Sequence, residues 1–114
     1  QWQVDVSALA KCPNVFAKLG GLNMAINGFG WHKRLGPPTS EELAANRHYY
    51  LHTIESFSPE RCMFESNFPV DKVSCSYPVL WNSFKRMVGH LTRKQKASLF
   101  HETASRVYRL KSAV

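Results

Sequence analysis

The sequence predicts an α/β domain built on a parallel two-stranded sheet. Three observations carry that prediction. Two short apolar runs, Val15 to Leu19 and Arg61 to Asn67, read as strands. Residues at helical spacing fill the stretches between and after them. Strands that alternate with helices make βα units, and βα units make parallel sheets. Two strands alone form a marginal sheet with two open edges. The chain, 1–114, therefore reads as a single portion of a larger α/β architecture.

Each element has its own sequence signal. Trp2 to Lys11 reads as the end of a helix with Val6, Leu9 and Ala10 on one side, stopped by Pro13. The strand Val15–Leu19 ends at Gly20-Gly21, where the backbone is freed. Asn23 to Pro38 is a long Gly-rich loop without its own structure, as lids and binding loops often are. Thr39 starts the next helix, and Glu42 three residues later completes a capping box. Leu43, Arg47, Tyr50, Leu51, Ile54 and Phe57 follow at helical spacing until Ser58-Pro59. The strand Arg61–Asn67 is closed by Pro69. Pro78 sits at the first position of a helix that carries Leu80, Phe84, Met87 and Val88. Thr92 and Gln95 form a second capping box and open the last helix, with Leu99, Phe100, Thr103, Val107 and Tyr108 inward.

Composition narrows the functional classes. The chain is 44% hydrophobic and 20% charged, as globular domains are. Its apolar runs are far too short to span a bilayer, and no leader follows Gln1, so neither a membrane nor a signal peptide is expected. Cys12, Cys62 and Cys75 are an odd number at wide spacing. They read as buried small residues in a reducing, cytoplasmic setting. The net charge of +7 invites a nucleic-acid reading, but the basic residues scatter over outer helix faces without aromatic interleaving. No nucleic-acid partner is expected.

The strongest motif is RCMFESNFPVDK, Arg61 to Lys72. A buried strand that stops with Glu65, Ser66 and Asn67 displays polar groups where α/β proteins keep their chemistry. Alternation puts Met63, Glu65 and Asn67 on one face and Cys62, Phe64 and Ser66 on the other. The same logic on the first strand sends Phe16, Lys18 and Gly20 to the Glu65 side. A Lys18–Glu65 ion pair across the strands follows as an expectation, either filling an interior or serving catalysis. Trp31 and Arg34 suit a clamp on a planar or anionic substrate, or a loop that packs on itself. His32 is a substrate contact or simply exposed. His48 and His52 have a metal-compatible spacing on one helix but no third ligand, and read as surface residues. No metal ligand is assigned within this chain.

The runs PNVFAKLGGL, GFGWHKRLGPPTSEELA, RCMFESNFPVDK and LFHETASRVYRL resemble the C-terminal end of the amidohydrolase-related family. That resemblance implies a partial (β/α)8 barrel: the last two βα units plus the C-terminal helices. It implies a hydrolase of lactones or similar ester- or amide-type bonds in small molecules. It implies a divalent metal such as zinc in a full-length protein, held by histidines of strands outside this chain, with none expected here alone. The family's eighth strand ends in a GSDWP-like motif whose aspartate acts as base or metal ligand. Asn67 stands at that aspartate and Glu65 at that glycine. An amide cannot take up a proton at neutral pH. Asn67 is left to orient a substrate or a water, and Asp71 is the nearest carboxylate that could replace the missing one. Asn67 and Asp71 are thus the candidate catalytic residues, with Trp31, His32, Arg34, Glu65 and Lys18 as substrate contacts. The competing expectation is a non-catalytic truncated barrel that covers its edges by self-association or with a missing N-terminal portion.

Overall fold

A computed structural model describes residues 1–111. In chain order it contains α1 (Trp2–Ala10), β1 (Ala17–Leu19), α2 (Ser40–Ala44), α3 (Arg47–Phe57), β2 (Cys62–Phe64), α4 (Tyr77–Met87), α5 (Arg93–Ala97) and α6 (Thr103–Val107). The strands pair in parallel, with Ala17 opposite Cys62, Lys18 opposite Met63 and Leu19 opposite Phe64. Both are shorter than the apolar runs suggest. The ladder still gains one bond beyond them, from the Glu65 N–H to the Leu19 carbonyl at 3.1 Å.

The two faces of the sheet differ as the alternation requires. Leu19, Cys62 and Phe64 point into a core with Leu43, Tyr50, Ile54, Phe57, Leu80, Phe84 and Leu99. Aromatic rings knit this core together: Phe64 stacks on Phe84 with centroids 4.4 Å apart, and Tyr50 meets both edge-on. On the other face Met63 is buried, but Lys18 opposite it is exposed and Phe16 is 39% exposed.

The helices deviate from the simple periodic reading in three places. The helix that Thr39 caps is interrupted at Ala45-Asn46, giving α2 and α3. The capping box itself forms, with the Glu42 N–H bonded to Thr39 Oγ1 and the Thr39 N–H to Glu42. At the break, the Arg47 guanidinium donates to the Ala44 carbonyl at 3.0 Å and replaces a lost helical bond. Arg47 is therefore exposed rather than inward. The last helix opens with its Thr92–Gln95 box and then widens into a π turn over Ser98–Glu102. That turn lets Leu99 and Thr103 both face inward, and Thr103 Oγ1 donates to the Pro59 carbonyl at 3.0 Å. Tyr108 falls past the end of α6 and is 53% exposed, not inward as its spacing suggests. The third deviation is at α1, where Leu9 is 50% exposed and Ala10 alone is buried.

The long loop is also more structured than expected, with 3-10 turns at Ala25–Asn27 and Trp31–Lys33. Gly28 and Gly30 supply the left-handed backbone that flanks them. Cys62 and Cys75 are buried, and burial pushes their thiols up to about 12 and about 11. Cys12 is exposed, against expectation, because it lies in the turn after α1.

One side chain fastens the first segment to the second strand. Arg61 donates to the carbonyls of Ala10 (2.6 Å), Cys12 (2.9 Å), Val15 (3.1 Å) and Phe57 (3.1 Å). Its guanidinium also lies 5.0 Å from the Phe57 ring centroid. A positive fork at the C-terminal end of a helix satisfies orphan carbonyls and complements the helix dipole.

Candidate active site

Parallel strands leave their C-terminal ends on one rim, and the loops that follow both strands meet there. After β1 the chain turns through Gly20, Gly21, Leu22 and Asn23. After β2 it runs through Glu65, Ser66 and Asn67. The two loops are tied by the Ser74 hydroxyl, which donates to the Asn23 carbonyl at 2.6 Å. A second tie is the Tyr50 hydroxyl, which accepts the Leu22 N–H at 3.2 Å. Burial pushes the Tyr50 phenol well above its ordinary value, the Leu22 N–H opposes this, and the charges of Asp71 and Glu65 add to it.

Glu65, Asn67 and Asp71 form one connected group on this rim. Asn67 sits in the left-handed region at φ 55°, a conformation asparagine tolerates better than most residues. Glu65 Oε2 accepts the Asn67 backbone N–H at 2.7 Å. Asn67 Nδ2 donates to Asp71 Oδ1 at 2.9 Å, and the Asp71 N–H returns to the Asn67 carbonyl at 2.9 Å. Asp71 is 1% exposed, and its Oδ2 has no partner among the described residues. Burial raises its carboxyl above the ordinary range, the Asn67 amide draws it back, and the Glu65 charge pushes the same way as burial. The Glu65 side chain fills the space where Gly20 has no Cβ; a Cβ there would meet Glu65 Oε1 at 2.0 Å.

The Lys18–Glu65 ion pair does not form. The ion pairs within 4.0 Å among the described residues are Arg34–Glu42 and Arg86–Glu41. Glu65 is turned to its own loop by the Asn67 N–H, and the Lys18 ammonium lies 5.7 Å from the Tyr108 ring centroid. A backbone donor two residues away is a cheaper partner for Glu65 than an ordered lysine.

Trp31, His32 and Arg34 come together separately. With Lys72, Ser74 and Ser76 they line a cavity of about 350 Å3 between the two loops. The Arg34 guanidinium lies 5.3 Å from the Trp31 ring centroid and pairs with Glu42 at 3.1 Å. The Thr39 backbone N–H, with Arg34 beside it, holds the Glu42 carboxyl below its ordinary value. Asn67, Glu65 and Asp71 do not line this cavity. The residues expected on one site thus fall into two neighbouring groups, with Lys18 outside both.

Several contributors were not legible as site residues. Tyr50 reads from its spacing as a core residue, yet its hydroxyl ties the β1 loop. Gly20 reads as a strand end on the Glu65 side, without the close approach of Glu65 to its Cα. His52 reads as a surface residue, but it is half-buried under α1, with Nε2 3.1 Å from the Gln3 carbonyl and 3.2 Å from Ser7 Oγ.

The amidohydrolase family model matches residues 1–110. The chain belongs to the amidohydrolase family. The chain is 37% identical over 109 residues to the uncharacterised protein y4mH of Sinorhizobium fredii, covering 96% of the chain and 33% of that protein. It is 27% identical over 111 residues to the L-fucono-1,5-lactonase of Burkholderia multivorans, covering 96% of the chain and 36% of the lactonase. Its fold is similar to crystal structures of an amidohydrolase from Burkholderia multivorans, one with bound zinc and one with bound HEPES. Each superposes with a TM-score of 0.81 at 26% identity, over 96% of this chain and 37% of the other. The chain spans about a third of the length of the curated relatives it matches. Its two parallel strands and their helices are thus an α/β fold similar to part of an amidohydrolase barrel.

Zinc in a structural neighbour raises the question of what this chain offers a metal. Zinc is held by three or four His, Cys or carboxylate ligands. Among the described residues no three such groups lie together. The Asp71 carboxylate is enclosed and bonded to Asn67, and Glu65 Oε2 is taken by the Asn67 N–H. These residues do not by themselves fit a zinc ion.

Proposed function

We propose that this chain is the C-terminal part of a hydrolase acting on a lactone or a related ester- or amide-type bond in a small molecule, and that it supplies the substrate-facing side of the pocket. In this reading β1 and β2 are the seventh and eighth strands of a (β/α)8 barrel. The observation that carries it is the Glu65–Asn67–Asp71 group at the C-terminal ends of two parallel strands, the rim where barrel enzymes place their chemistry. The similarity to a lactonase supports the bond type.

The residues divide the work. Asn67 holds a substrate polar group or a water, because an amide orients without exchanging protons. The water's proton is accepted by a group other than Asn67. Trp31, His32 and Arg34 contact the distal part of the substrate, with Arg34 suited to an anionic group through the guanidinium edge that Glu42 leaves free. A divalent metal, where the whole barrel holds one, rests on ligands outside this chain.

The test is a panel of sugar and dicarboxylate lactones, read by proton release, on the purified chain with and without added zinc. The Burkholderia multivorans lactonase serves as the control. Turnover by the chain that Asn67→Ala reduces by at least tenfold supports the proposal. Turnover that Asn67→Ala leaves unchanged overturns the role of this rim. A second reading is a non-catalytic partial barrel that covers its open sheet face by association. One observation favours that second reading: Phe16 and Lys18 stand exposed on a sheet face whose strands have no further neighbours among the described residues.

A further inference from the structure

The amide of Asn67 can present two different faces. Its oxygen accepts and its nitrogen donates, the two ends have nearly the same shape, and only the hydrogen-bond network decides between them. Asp71 makes that decision. Its Oδ1 accepts from Asn67 Nδ2 at 2.9 Å, so the nitrogen is turned into the protein. Gly21 packs on the same end, where a Cβ would lie 3.5 Å from Nδ2. Asn67 Oδ1 takes no hydrogen bond from the described residues and is not among their enclosed unpartnered atoms, so it faces outward. Glu65 and the Asp71 backbone N–H fix the main chain of Asn67 on both sides.

We propose that Asp71 is a positioning residue. Its enclosed carboxylate turns the Asn67 amide so that the strand end offers an acceptor, Oδ1, to a ligand that brings a hydroxyl or N–H donor. This deepens the reading of Asn67 as a substrate contact and rests on it. It also gives Asp71 a different place from a direct one. A carboxylate 1% exposed, with one oxygen on Asn67, reaches no substrate itself. An ionised carboxylate can only accept, so it enforces the orientation; a protonated one can also donate, and the compulsion is lost. The other titratable groups around Asp71 are Glu65, Tyr50 and Cys75.

The experiment is NMR of the 15N-labelled full chain, following the Asn67 side-chain NH2 pair, assigned by its loss in Asn67→Ser. In the wild type the two protons are expected to be well separated, and their shifts to titrate as Asp71 ionises. Asp71→Ala should bring the pair close to free-amide shifts while backbone resonances outside 65–76 stay in place. Asp71→Asn keeps the side-chain shape but can also donate, as the protonated carboxyl can, so it should abolish the titration and hold the pair near its wild-type low-pH shifts. It also serves where Asp71→Ala does not fold. An Asn67 pair that is pH-invariant between pH 3 and 8 in the wild type overturns the proposal. So does one that Asp71→Ala leaves unchanged. This measurement needs no turnover, so its failure is distinct from failure of the lactone panel.

Discussion

Arg61 shows how much one side chain can hold. It supplies donors to four backbone carbonyls, those of Ala10, Cys12, Val15 and Phe57. Arg61→Ala should cost about 3 kcal/mol, since charge-assisted bonds are worth about 1.5–3 kcal/mol and those from one fork are not additive. Arg61→Lys should recover less than half, because an ammonium has no fork. Urea unfolding of the three proteins checks both. Asp71 makes a pH-dependent contribution with a definite sign. Its folded carboxyl lies above the ordinary value of 3.8, so folding favours the acid form. That contribution is fully present below about pH 4 and is lost as the pH rises through the raised folded value. The stability of the wild type relative to Asp71→Asn should therefore fall as the pH rises above about 4, as measured by unfolding at each pH.

At the scale of elements, the caps were legible and the interruptions were not. Thr39–Glu42 and Thr92–Gln95 are local signals, and both boxes form. Thr39→Ala and Thr92→Ala should each cost about 1 kcal/mol, measurable by thermal unfolding. The break at Asn46 keeps apolar spacing intact on both sides, so periodicity passes over it. The π turn at Ser98–Glu102 answers to packing on the Pro59 turn, which no local pattern encodes. The Lys18–Glu65 pairing failed for a related reason. Alternation put both residues on one face correctly, but a side chain chooses its partner from the whole neighbourhood, and Glu65 found a backbone N–H first. The strand-end motif was legible because its residues are adjacent. Tyr50 was not, because it reaches the rim from 28 residues away.

The whole molecule presents a well-filled side and an open one. Phe84, Leu80 and Leu99 are buried in the core, whereas on the other sheet face Met63 is covered but Phe16 and Lys18 stand exposed. Parallel sheets are ordinarily covered on both faces. A chain with this surface should self-associate or bind a further barrel portion, since its curated relatives are about three times as long as the part matched. Light scattering at rising concentration checks the first. Phe16→Lys should shift the population toward monomer.

Gly20 turns out to be a mould for the carboxylate beside it. The Glu65 side chain occupies the volume that a methyl group at position 20 would take, and only its flexible end stands in the way. Gly20→Ala should therefore dislodge Glu65 without disturbing the core, freeing the Asn67 backbone N–H from the Glu65 carboxylate. Faster hydrogen exchange at the Asn67 amide, with a nearly unchanged melting temperature, would register it. A single methyl group after one strand would in this way reset the chemistry displayed by the other.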